Sequence, residues 1–154
     1  EEIRKEAYTD EAGEMLADRF AQIVFTRVME CPFVPGAKEF LERNYRKYDL
    51  YVASGTPEEE LKRIVEERKL GVFFKKIYGT PMKKEEIVEI ICEEGGYQKD
   101  EMCFVGDAVT DQKAAQHTDL RFIGRNTDDN KEAFRDLVCK VDNLLQIEEM
   151  LEER

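Results

Sequence analysis

Short apolar runs alternate with helix-spaced segments through the last two-thirds of this chain, and that alternation leaves few folds open. The runs are Asp49–Ala53 (DLYVA), Phe73–Tyr78, Glu101–Val105, Leu120–Ile123 and Leu137–Val141. They have strand length, and DLYVA is nearly all apolar, as a strand covered on both faces is. Leu61, Ile64 and Val65 fall at helical spacing after the first run, and Ile87, Val88, Ile90 and Ile91 before Gly95-Gly96. Thr56 is expected to cap the first of these helices, with Pro57 in its first position and Glu59 at the capping-box position. Further helices are expected over Lys83–Glu94, from Asp107 to about Gln116, and over Asn143–Glu153. Strands and helices in alternation imply right-handed crossovers and a parallel sheet with helices on both faces. The expected fold class is α/β, and ligands of such sheets bind at the carboxyl ends of the strands.

The first third reads differently. Thr9 or Asp10 can cap a helix running to about Glu30, with Met15, Leu16, Phe20, Ile23, Val24 and Val28 on one stripe. Cys31-Pro32 ends it. AKEFLERNYRKY, after Pro35-Gly36, is expected to form a second helix.

Lys plus Arg number 24 and Asp plus Glu 35, a formal charge of -11. That balance argues against nucleic acid or an anionic membrane as partner, because both need a basic surface. It leaves room for a small phosphorylated substrate, which meets only a local field. No apolar run reaches the length of a membrane span. The start, EEIRKEAYTD, has no signal-peptide pattern. Cys31, Cys92, Cys103 and Cys139 form no CxxC pair and there is one histidine, so free thiols in a reducing, cytoplasmic setting are expected.

Three strand ends carry polar groups. Ser54-Gly55-Thr56 offers a hydroxyl and a glycine amide where a helix begins, which can hold an anion or merely cap the helix. Lys83 and Lys84 open a helix whose dipole disfavours cations there, as expected if an anion needs neutralising. In FVGDAVTD, Gly106 permits a sharp turn after a strand. Asp107 and Asp111, four residues apart, face the same way on the helix. Converging carboxylates repel unless a cation lies between them, and Mg2+ prefers oxygen ligands. Hydroxyl, ammonium and carboxylate pair together suit phosphoryl transfer. His117 is expected at a helix end and Lys113 in solvent.

On these motifs the segment from Cys31 to Arg125 resembles the haloacid dehalogenase (HAD) superfamily of phosphohydrolases. PFVPGAKEFL looks like the helix that enters the core, YVASGTPEEEL like the second family motif, GTPMKKEEI like the lysine motif and FVGDAVTDQKAA like the acidic motif. The resemblance implies a Rossmann-like core over 31–154 and the remnant of a helical cap over 1–30. It implies Ser54, Gly55 and Lys84 on the phosphoryl group, with Ser54 and Lys84 catalytic, Lys83 the alternative lysine, and Asp107 and Asp111 on Mg2+. The implied activity is hydrolysis of a small phosphomonoester. Dehalogenation, which needs no metal, and mutase chemistry are sibling alternatives. A receiver domain has its acids, hydroxyl and lysine in a different order.

One family element is missing. No DxD sequence occurs, whereas the family's nucleophile is the first aspartate of such a pair on a strand between the Ser54 and Asp107 strands. About five aliphatic side chains on that strand, at about 1.5–3 kcal/mol each, would contribute roughly 7–15 kcal/mol. That equals a domain's whole stability. The first core strand is therefore expected from a cleaved N-terminal piece, a further part of the same protein or a neighbouring chain, or else the sheet repacks in a shorter form. The alternative function is a non-catalytic, truncated module that binds a phosphorylated ligand or a protein.

Overall fold

The computed structural model describes residues 10–152. The chain divides into two compact units, Glu1–Pro32 and Phe33–Arg154. The first contains helix α1, Asp10–Glu30. The expected stripe is not a buried face: Met15, Leu16, Phe20 and Ile23 are all more than half exposed, and among the described side chains of the helix Phe25 is buried instead.

The second unit opens with α2 (Ala37–Asn44), shorter than AKEFLERNYRKY because turns take over at Tyr45. Five strands follow, with helices between them: β1 (Tyr51–Pro57), α3 (Glu58–Glu67), β2 (Lys76–Thr80), α4 (Lys84–Gly95), β3 (Cys103–Gly106), α5 (Val109–His117), β4 (Arg121–Arg125), β5 (Lys140–Val141) and α6 (Ile147–Glu152). Every pairing is parallel. The α/β fold class holds, but the pairing falls into two groups, β1–β2 and β3–β4–β5. Among the described residues no ladder joins β1 to β3.

Residue alternation places helices on both faces of the larger sheet. Phe104 and Phe122 point to a cluster with Val88 of α4, Ala114 and Ala115 of α5, and Phe134. Their neighbours Cys103 and Ile123 point the other way, to Phe40 of α2, Val141 and Ile147 of α6. Side chains one residue apart on a strand face opposite sides, so one short strand serves both cores. Ala53 of β1 packs on the first cluster, which brings the two sheets side by side. Gly96, at φ 67, ends α4 in the left-handed conformation that glycine adopts at no steric cost.

Several boundaries differ from expectation. Pro57 still pairs with Thr80 across an irregularity in β1, so α3 starts at Glu58 with Pro57, not Thr56, at its N-cap. The run at 137–141 yields only Lys140–Val141, because residues 128–136 coil into turns and the Lys140 ammonium donates to the carbonyls of Phe134 and Arg135. The last helix begins as a 3₁₀ turn, Leu144–Gln146. No described helix is long and apolar enough to cross a membrane.

Candidate active site

A hollow of about 320 Å³ lies at the carboxyl ends of β1 and β3. Ala53, Ser54 and Gly55 line it from β1, Val105, Gly106 and Asp107 from β3, and Lys84, Asp111 and Arg125 complete the polar wall. All five sequence-derived site residues, Ser54, Gly55, Lys84, Asp107 and Asp111, therefore border one space. Lys83 does not; it precedes α4 as the N-cap, its backbone N–H donating to Glu86 Oε2 at 3.2 Å.

Each group has a definite support. The Ser54 hydroxyl donates to Thr56 Oγ1 and accepts from the Thr56 N–H, both at 3.1 Å. That local turn fixes Ser54 Oγ where the regular pairing of β1 breaks off after Ala53. Lys84, the first residue of α4, reaches across to Asp111 Oδ1. The pair is largely shielded, with the Lys84 side chain 21% exposed and that of Asp111 9%. The second Asp111 oxygen accepts from the Ala108 N–H at 3.0 Å and closes the first turn of α5. Asp107 stands just before that helix, its carboxylate half exposed, and accepts from Arg125 Nη1 at 3.0 Å. Gly106 is required where it is: a Cβ there would lie 2.6 Å from Asp111 Cγ and Oδ2. Only a residue without a side chain lets the strand end come so near the second carboxylate.

Two residues of this site escaped sequence analysis. Arg125 ends β4 and holds Asp107; the same strand-end criterion that singled out Ser54 and Asp107 would have found it. Asn130 is 95% buried, with 5% relative exposure. Its Nδ2 donates to the Asp107 carbonyl at 2.7 Å and to the Arg125 carbonyl at 2.8 Å. Its Oδ1 accepts from the Thr127 N–H, and its own N–H donates to Thr127 Oγ1. One side chain thus ties the end of β3 to the end of β4, a link between residues 23 apart that no local pattern announces. His117 ends α5 and, like Lys113, is exposed.

The expected repulsion between the two aspartates is relieved by side-chain cations, Lys84 on Asp111 and Arg125 on Asp107. The side chains bordering the hollow that could ligate a metal, Ser54, Asp107 and Asp111, offer oxygen atoms, which suits a hard divalent cation held by two carboxylates and several waters. Among the described residues no three His, Cys, Asp or Glu side chains gather as a metal cluster.

A model of the haloacid dehalogenase-like hydrolase family matches residues 1–125. The chain belongs to that family. Solved structures agree on the fold. A predicted phosphoglycolate phosphatase from Haemophilus somnus superimposes with a TM-score of 0.77 at 18% identity, over 95% of this chain and 69% of that one. A haloacid dehalogenase-like hydrolase from Streptococcus pneumoniae gives 0.75 at 14%, over 94% and 71%. A HAD-family protein from Bacillus subtilis, solved bound to magnesium, gives 0.75 at 16%, over 92% and 63%. No curated protein matches. Within the HAD family, YVASGTP, GTPMKK and FVGDAVTD fall at β1, at the start of α4 and at the β3–α5 turn.

Proposed function

We propose that this chain supplies the phosphate- and metal-binding part of a Mg2+-dependent phosphomonoester hydrolase acting on a small phosphorylated metabolite. The observation that carries it is the meeting of Ser54, Gly55, Lys84, Asp107 and Asp111 at one hollow between two strand ends. In this scheme the Ser54 hydroxyl and the Gly55 N–H hold phosphoryl oxygens, and the Lys84 ammonium offsets their charge. Asp107 and Asp111 would hold Mg2+, which would supply positive charge to offset that of the phosphoryl group. The 154 residues contain no DxD sequence, so the nucleophile comes from another segment. Its carboxylate attacks phosphorus and the bond to the leaving alkoxide breaks. A second acid two residues on protonates that alkoxide, and water then releases inorganic phosphate from the aspartyl-phosphate.

Where that segment fits is suggested by the divided sheet. Among the described residues β1 pairs only with β2, and β3 only with β4, while Val105, inside β3, is 40% exposed. A strand laid between β1 and β3 would satisfy both backbone edges, cover Val105 and bring its carboxyl end to the hollow. The segment belongs either to a longer form of the chain or to a partner. Free thiols at all four cysteines support a reducing, cytoplasmic setting.

The test is hydrolysis of a generic aryl phosphate by a longer form of the chain that carries an upstream acidic strand. Asp107→Asn should lower the rate about a hundredfold or more. Equal turnover with and without EDTA would refute the metal role. Phosphate binding without turnover, in the longer form as in the 154-residue chain, favours instead the non-catalytic module to which the missing DxD points.

A further inference from the structure

We infer that Arg125 is a built-in counter-cation of Asp107 that an incoming divalent cation displaces, so that Arg125 sets the metal affinity of the site. This rests on the proposed metal role of Asp107, and the experiment below separates the two.

The two carboxylates at the hollow are not equally available. Asp111 is sealed: its side chain is 9% exposed, one oxygen faces the Lys84 ammonium and the other takes the Ala108 N–H. Asp107 is open, with its side chain 52% exposed and one cationic partner, Arg125, at 3.0 Å. A pair exposed on one side is far weaker than a shielded one, so the exchangeable contact is Arg125–Asp107.

The contact is also incomplete. It uses Nη1 alone, although a guanidinium can grip a carboxylate through two parallel N–H groups. Arg125 Nε lies buried with no hydrogen-bond partner. The guanidinium is therefore held at the hollow wall with a donor unspent. Asn130 fixes the carbonyls of both Asp107 and Arg125, so metal entry requires the two side chains to part while the strand ends stay in place. Once Asp107 turns to a metal, the Arg125 fork faces the hollow, where it can take an anionic group of the ligand.

The test is Mn2+ binding by the 154-residue chain at low ionic strength, read from the electron paramagnetic resonance signal of free Mn2+. Wild-type protein should bind Mn2+, and Asp107→Asn should weaken that binding. Arg125→Gln, checked for fold by circular dichroism, should bind Mn2+ about threefold to tenfold more tightly, because neither the ion pair nor the like charge opposes the metal. An affinity equal to or weaker than wild type overturns the inference while leaving Asp107 as a ligand. Mn2+ binding indifferent to Asp107→Asn overturns the metal role and this inference together. Should Arg125→Gln fail to fold, the wild-type chain decides. Its Arg125 Nε–H resonance should move on saturation with Mg2+, and a resonance that stays still refutes displacement.

Discussion

Replacing Lys84 by Met tests whether the site is held together by charge. Met keeps much of the volume of the lysine stem but removes the ammonium. Asp111 would then keep only the Ala108 N–H as a donor, while its side chain stays 9% exposed. Breaking a buried pair from one side costs about 3–5 kcal/mol, because the surviving charge is desolvated without compensation. Lys84 is 21% exposed, so water can reach the vacated place and the expected cost sits at the lower end, about 3 kcal/mol. Urea denaturation should show a lower midpoint with the slope unchanged. In an Asp111→Asn background the same change should cost under about 1 kcal/mol, giving a coupling of about 2 kcal/mol in the double-mutant cycle. Added Mg2+ should restore Lys84→Met more than it stabilises wild type, since the Asp111 carboxylate that has lost its ammonium partner, beside Asp107, then takes up a cation. A coupling near zero, or a single-variant loss below about 0.5 kcal/mol, would refute charge pairing as the support of Asp111.

Two further outcomes rest on other hydrogen bonds. Asn130→Ala leaves the carbonyls of Asp107 and Arg125 without their buried donor and should cost about 2–3 kcal/mol, read as a drop in thermal midpoint; an unchanged midpoint would mean the β3–β4 tie contributes nothing. Tyr97 donates to Asp49 at 2.6 Å, which holds the phenol above its ordinary value and, together with Lys75, holds the Asp49 carboxyl below its own. The raised phenol contributes stability below roughly pH 10 and loses it as pH rises further; the lowered carboxyl contributes above roughly pH 4 and loses it as pH falls. The advantage of wild type over Tyr97→Phe should therefore be level from about pH 5 to 9 and shrink at both ends. The pair is exposed, so the plateau should stay below about 1 kcal/mol, and a difference independent of pH would exclude this hydrogen bond as its source.

The parts legible in the sequence were those encoded locally. Gly106, Asp107 and Asp111 form a strand end, a turn and a first helical turn within six residues, and Lys84 opens its helix beside the same space. Ser54 was expected just past its strand, but β1 runs on to Pro57, so Ser54 lies at the irregularity inside that strand and the following helix starts later. What escaped depends on distant pairs. Arg125 reaches Asp107 across neighbouring strands, and Asn130 gains meaning only when the chain beyond β4 folds back. The apolar run at 137–141 misled because its residues part company. Leu137 packs on the core, Val138 is 93% exposed, and only Lys140 and Val141 reach the sheet. The division of the sheet, and the two edges it leaves open, were foreshadowed by the missing DxD and by the place the resemblance gives its strand, between the Ser54 and Asp107 strands.

Those open edges bear on how the molecule behaves in a crowded solution. Two rows of backbone donors and acceptors, at β1 and β3, invite any extended peptide of suitable shape. A surplus of eleven negative charges holds copies of this chain apart at low ionic strength, but added salt weakens that barrier within about 10 Å at 0.1 M. Colloidal stability and readiness to accept a strand are thus opposing settings of one surface, and ionic strength is the dial between them.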